Sequence, residues 1–413
     1  MSKWRQSATV RGMKSGRLVR GLREVRNVLG VLATGLLAVV VSAQDKASGA
    51  KNDDTERVLW TYSPSGAQFT EVVVKDGVAV ALDRAGKIHG VDAATGKKLW
   101  VTKKRFSMSY GFGLALSPLA SFDAVMIGSD DGFFALQRAT GKELWHTEIE
   151  LGVAGPACTS KAVIAGSADG KVYACDLTTG RILWEHEYVE DAPADPKGFS
   201  GDRARFQGRP ARPCAATTDG KIVVLSVFDQ CRTLALDVAT GKRLWSYNTQ
   251  GWMGGTATIG ARNVFAGSQD KHMYAVDKQM GKLAWKVKTG GRVNSGGTPG
   301  QRFTYFGSCD ANLYAVDTAV GHVAWKFATD HAEGYGAPIY SRPLVSKHTV
   351  YLAAMSGKVY AVDRKTGKLR WKMTPVPNSE PNCDLVESDG RLFLTTRKDG
   401  KKGVSAVVAI DPK

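Results

Sequence analysis

One phrase, Gly357 to Trp371 (GKVYAVDRKTGKLRW), recurs along nearly the whole chain and sharply limits what the chain can fold into. A strand of alternating character runs into an Asp, then a tight turn with Gly, a basic residue and a Trp. The pattern predicts one hairpin of a small repeated unit. A short carboxylate can accept hydrogen bonds from turn N–H groups two or three residues on, and Gly supplies the positive φ that the turn requires. The Trp then returns to a buried surface.

Seven copies align, pairing Asp92 with Trp100, Gln137 with Trp145, Asp176 with Trp184, Asp237 with Trp245, Asp277 with Trp285, Asp317 with Trp325 and Asp363 with Trp371. An eighth is split between the two ends of the chain. Val58-Leu59-Trp60 supplies a Trp strand without its Asp, and Ala406 to Asp411 supplies the strand and Asp without their Trp. From Trp60 the Trp intervals are 40, 45, 39, 61, 40, 40 and 46 residues, about one four-stranded propeller blade each. The expected fold is therefore all-β: an eight-bladed propeller of four-stranded antiparallel blades over residues 58–413, closed by Val58 to Tyr62 pairing into the last blade. Closure removes the unpaired strand edges that an open fan would expose.

A chain of 413 residues would ordinarily hold two or three domains, but a repeat ring grows without adding separate cores. The 46 Gly and 10 Trp are accounted for by turns and interblade indoles. Residues 1–43 read as a secretory signal: eight basic residues and one acid precede an apolar run from Val28 to Val41, with Val41-Ser42-Ala43 suited to cleavage. The run is shorter than the ~20 residues of a membrane-spanning helix, and no Cys follows it to carry a lipid anchor. Met13 is an alternative start. Residues 44–57 are polar and read as a linker. Without the leader, 48 basic and 38 acidic residues remain, so the net charge falls from +17 to +10. Part of this surplus sits at turn tips spread around the ring, which argues against nucleic-acid binding and supports solubility and, weakly, an acidic partner.

The longest departure from the period lies between Trp184 and Trp245. Its acidic half, Glu185 to Pro196, is followed by a basic half carrying Arg203, Arg205, Phe206, Arg209 and Arg212. Long loops at one end of a propeller are common contact sites, so these five residues form the expected partner surface, against the plainer reading of a self-neutralising loop. Trp252 stands outside the repeat register, either at the channel mouth or packed as a hinge. Six Cys in an exported chain permit disulfides, and Cys158 with Cys214 is one conceivable pair, against the plainer reading of free buried thiols. There is no Cys-x-x-Cys, no paired His at metal spacing and no Gly-x-Ser-x-Gly elbow. Gly90 to Lys97 imitates a phosphate loop with the wrong glycine spacing. The repeated Gly-Ser-x-Asp turns, as at Gly267 to Asp270 and Gly307 to Asp310, read as blade punctuation.

The phrase Val91-Asp-Ala-Ala-Thr-Gly-Lys-Lys-Leu-Trp100 and its copies resemble the tryptophan-docking repeat of the quinoprotein-type eight-bladed propellers. That superfamily includes the pyrroloquinoline quinone (PQQ) dehydrogenases and the BamB family of outer-membrane-protein assembly factors. The resemblance implies that Trp60, Trp100, Trp145, Trp184, Trp245, Trp285, Trp325 and Trp371 dock between blades. It also implies one of two roles. The first is a non-catalytic, monomeric envelope scaffold, periplasmic and not lipid-anchored, whose partners are β-barrel assembly proteins. The alternative is a dehydrogenase holding PQQ and calcium, with Trp252, Asn294, Glu333 and Asp384, and beside them Asn382, as candidate channel residues. The alcohol-oxidising dehydrogenases of the superfamily carry adjacent cysteines over the quinone, and no two Cys are adjacent here. A ligand-sensing propeller is a third possibility without a motif of its own. Fold does not choose among these.

Overall fold

The strands of the described residues fall into eight antiparallel sheets, seven of four strands and one of five. The computed structural model describes residues 56–107, 113–188, 212–330, 338–398 and 403–413. Blade one comprises Phe69–Lys75, Val78–Asp83, Ile88–Asp92 and Lys98–Val101. Alternation places every second side chain against a neighbouring blade, so the apolar residues of consecutive sheets form shared cores. Ile164 and Val172 of blade three, for example, meet Val223, Leu225 and Leu236 of blade four.

The ring closes as the split copy requires. Val58–Tyr62 pairs antiparallel with Ala406–Ile410, matching Trp60 with Ala409 and Tyr62 with Val407. Phe393, Val407 and Ala409 of this last blade share a core with Ala79 and Val91 of the first. The inner edge of blade eight is divided into Ser379–Pro381 and Val386–Ser388, both paired with Arg391–Lys398.

The repeat phrase has a local physical basis. In the six complete copies that keep the Asp, its Oδ1 accepts the backbone N–H three residues on, and in five also the one two residues on, as Asp92 does from Ala94 and Thr95 at 3.1 and 2.8 Å. The Gly that follows has φ between +68° and +76° in all seven complete copies. Its missing side chain matters as much as its φ. A Cβ on Gly96, Gly141, Gly180, Gly241, Gly281, Gly321 or Gly367 would lie 2.4–2.7 Å from the indole of the preceding Trp in the repeat series. Across the strand pair, each Trp faces a small residue: Gly90, Ala135, Ala174, Ala235, Ala275, Ala315, Ala361 or Ala409. The indole is thus held where only small residues leave room for it.

Seven of the eight indole N–H groups donate to the carbonyl of the residue after the repeated Asp or Gln in the next blade. Distances run from 2.7 Å for Trp245 to Lys278 to 3.2 Å for Trp371 to Pro412. A large ring with one polar edge suits a nearly dry interface once that edge has a partner. Trp325 departs from the pattern. Its buried Nε1 has no acceptor, and the carbonyl of Arg364 accepts the Tyr305 hydroxyl at 3.1 Å.

The Gly-Ser-x-Asp turns are also local structure. Asp169, Asp270 and Asp310 each accept the hydroxyl of a Tyr four residues on, at 2.6 Å, and a backbone N–H two residues on. Among the described residues no helix is long and apolar enough to cross a membrane.

Candidate functional site

The short inner strands converge on the axis, and their threonines tie one blade to the next. Thr217 donates to the Ala257 carbonyl at 3.0 Å, Thr258 to the Gly297 carbonyl, and Thr298 to the Pro343 carbonyl at 2.6 Å. These hydroxyls line a cavity of about 350 Å³ that Arg342, Asp384 and Leu385 border on the other side. Arg342 and Asp384 form an ion pair between blades seven and eight. The Asp384 carboxylate accepts the Arg342 backbone N–H at 2.7 Å and its guanidinium Nε at 3.0 Å. Nearby, Glu71 on the first strand of blade one accepts the Leu114 N–H of blade two at 3.0 Å. Burial pushes the Glu71 carboxyl up to about 7; the Leu114 hydrogen bond opposes this, the Asp384 charge adds to it and Arg342 opposes it.

Of the residues singled out as candidate quinone and calcium contacts, Asp384 lies in this wall with both oxygens committed to Arg342. The Asn382 amide donates to the Phe69 carbonyl at 2.9 Å. Asn294 Nδ2 contacts Cys309 Sγ at 3.4 Å, and its buried Oδ1 has no partner. Trp252 lies against Phe228, with ring centroids 5.3 Å apart. Glu333 is outside the described residues. Calcium needs several oxygen ligands converging on one point, and among the described residues no group of three acidic, His or Cys side chains converges in this way.

The basic connection is mostly outside the described residues as well, including Arg203, Arg205, Phe206 and Arg209. Arg212 is described: its guanidinium lies 5.3 Å from the Phe228 ring centroid, and its N–H faces Asp229. Arg212, Phe228 and Trp252 therefore form one continuous contact. The six cysteines are free, including Cys158 and Cys214. Burial pushes the thiols of Cys158, Cys175, Cys214 and Cys383 up to about 12, so they are poor nucleophiles.

The family model described as outer membrane protein assembly factor BamB matches residues 3–155 and 230–394. The chain belongs to this family. A BamB protein of Shewanella oneidensis is 25% identical over 249 residues, which is 56% of this chain and 54% of that protein. The match thus spans about half the length of that relative. The crystal structure of BamB from Moraxella catarrhalis superposes with a TM-score of 0.64 at 16% identity, covering 86% of this chain and 97% of that one. A quinohemoprotein alcohol dehydrogenase of Comamonas testosteroni is 30% identical over 165 residues, 34% of this chain and 23% of that enzyme. The BamB model skips residues 156–229, the region that includes the long connection.

Sequence reasoning missed Glu71 and Arg342. Neither lies in the repeat phrase, and Arg342 and Asp384, whose charges act on Glu71, are hundreds of residues from it in the chain. No local signal marks them.

Proposed function

We propose that this chain is an exported, monomeric propeller that scaffolds protein–protein interaction in the cell envelope without catalysing a reaction, with β-barrel assembly proteins as its partners. The BamB family match across both halves of the ring carries the reading. The pairing of Asp384 with Arg342 supports it, because that carboxylate is not presented as a free base. In this reading residues 1–43 are a cleaved secretory signal and residues 44–57 a linker to the ring. The mature chain is periplasmic and not lipid-anchored. The partner surface is the Arg203, Arg205, Phe206, Arg209 and Arg212 connection, and the eight recurrent tryptophans dock the blades.

Replacing Arg203, Arg205, Arg209 and Arg212 with Ala tests the surface. Thermal unfolding stays nearly unchanged, and co-purification of outer-membrane β-barrel assembly proteins weakens. Unaltered co-purification removes the connection as the partner site. Recovery of the protein in the cytoplasmic rather than the periplasmic fraction contradicts export.

A second reading, a dehydrogenase using PQQ and calcium, draws on the Comamonas relative. It would place the quinone in the channel near Trp252, Asn294, Glu333 and Asp384.

A further inference from the structure

A cavity of about 410 Å³ opens between blades six and seven. Apart from Gln301, its lining is cationic or aromatic: Arg302, Phe303 and Tyr305 from blade six, and Lys347, Arg364 and Lys365 from blade seven. Other junctions of the same ring hold an acid that this one lacks. Arg364 directly follows the repeated Asp, and two other copies also place a cation there, Arg138 and Lys278. Each of those meets a carboxylate on the first turn of the preceding blade. Arg138 Nη2 lies 3.3 Å from Asp76, with Nε also 2.6 Å from Asp123, and Lys278 Nζ lies 3.0 Å from Asp219. In blade six the corresponding turn is Gly300-Gln301-Arg302, which holds no acid: Gly300 stands where Asp219 does in blade four and Gln301 where Asp76 does in blade one.

The groups present do not fill that role. Arg364 Nη1 donates to the Ser346 carbonyl at 3.2 Å, and the Arg302 guanidinium lies over the Phe303 ring, 5.1 Å from its centroid. Asp363, the acid of the same turn, is taken up by Arg370 and by the N–H groups of Lys365 and Thr366. This junction is also the one whose indole N–H, that of Trp325, is buried without an acceptor.

We propose that this cavity binds a side-chain carboxylate on an acidic peptide segment of a partner protein. Arg302 and Arg364 supply planar donor forks suited to a carboxylate. Lys347 and Lys365 add positive potential, and Phe303 with Tyr305 gives the stem of the Asp or Glu an apolar wall. The incoming carboxylate takes the part that Asp76 and Asp219 play elsewhere in the ring, and it relieves the repulsion among four clustered cations. The site is built from blades six and seven, far along the chain from the Arg203 to Arg212 connection, and the inference holds whether or not the envelope role does.

The test is fluorescence anisotropy of a labelled hexaglutamate peptide titrated with the purified full chain at physiological salt. Arg302→Glu is compared with Arg262→Glu, the same charge change at the corresponding turn of blade five. Both variants keep the basic leader, so its attraction for the peptide cancels. Arg302→Glu weakens binding by about tenfold or more, the scale of a lost charge-assisted hydrogen bond, and Arg262→Glu by less than about twofold. Equal losses in both variants, or no saturable binding to the unaltered chain, overturn the proposal. Displacement of the peptide by inorganic phosphate at concentrations where acetate has no effect overturns the assignment to carboxylate.

Discussion

Trp285 and Trp325 occupy equivalent places in consecutive blades, yet only Trp285 has a partner for its indole N–H, the Thr318 carbonyl at 2.9 Å. Trp285→Phe should therefore cost about 1 kcal/mol more than Trp325→Phe in denaturant unfolding, because it leaves the Thr318 carbonyl only the long contact from Asn263 Nδ2 at 3.5 Å. Equal costs would mean that the indoles act through packing alone. The turn glycines separate in a similar way. Gly390 has φ +69° and open space where a Cβ would stand, whereas a Cβ on Gly241 would meet the Trp184 ring at 2.5 Å. Gly390→Ala should cost about 1–2 kcal/mol from backbone strain alone, and Gly241→Ala clearly more. Glu71 carries a pH dependence of definite sign. Its folded pKa is raised to about 7 from an ordinary 4.5, so the folded state holds the proton longer and stability falls as pH rises from about 4.5 to 7. Glu71→Gln keeps the acceptor for Leu114. It should raise the melting temperature at pH 8 and leave it nearly unchanged at pH 4. A gain of equal size at both pH values would show that the charge is not the cause. The indole sites were legible because the Ala-x-Asp and Gly of the phrase are the residues that make room for the ring. Glu71 was not, since only ring closure brings it near Arg342 and Asp384.

At the level of strands, alternation and turn chemistry agree in blade one, where Asp76-Gly77 separates Phe69–Lys75 from Val78–Asp83. Blade eight was less readable. Its inner edge is interrupted at Asn382-Cys383-Asp384, where Asp384 turns toward Arg342 instead of continuing the strand. The closing strand carries the clearest prediction at this scale. Deleting residues 1–62 removes the partner of Ala406–Ile410 and leaves a paired strand as an open edge. The truncated chain should melt at lower temperature and aggregate, and a peptide spanning residues 56–63 should restore part of the loss. An unchanged melting curve would mean that the ring does not depend on that closure.

For the molecule as a whole, the period of about forty residues and the split copy carried the fold, and the quinoprotein-type resemblance carried the family. What the phrase could not show is which of its superfamily's chemistries the channel supports, since docking tryptophans serve enzyme and scaffold alike. That choice rests on residues outside the phrase, among them Asp384, whose carboxylate is paired with Arg342. The non-catalytic account meets its most direct test in titration of the purified chain with PQQ and calcium, following quinone absorbance and dye reduction with simple alcohols. The account predicts neither stoichiometric binding nor turnover; one quinone bound per chain with alcohol-dependent dye reduction would contradict it.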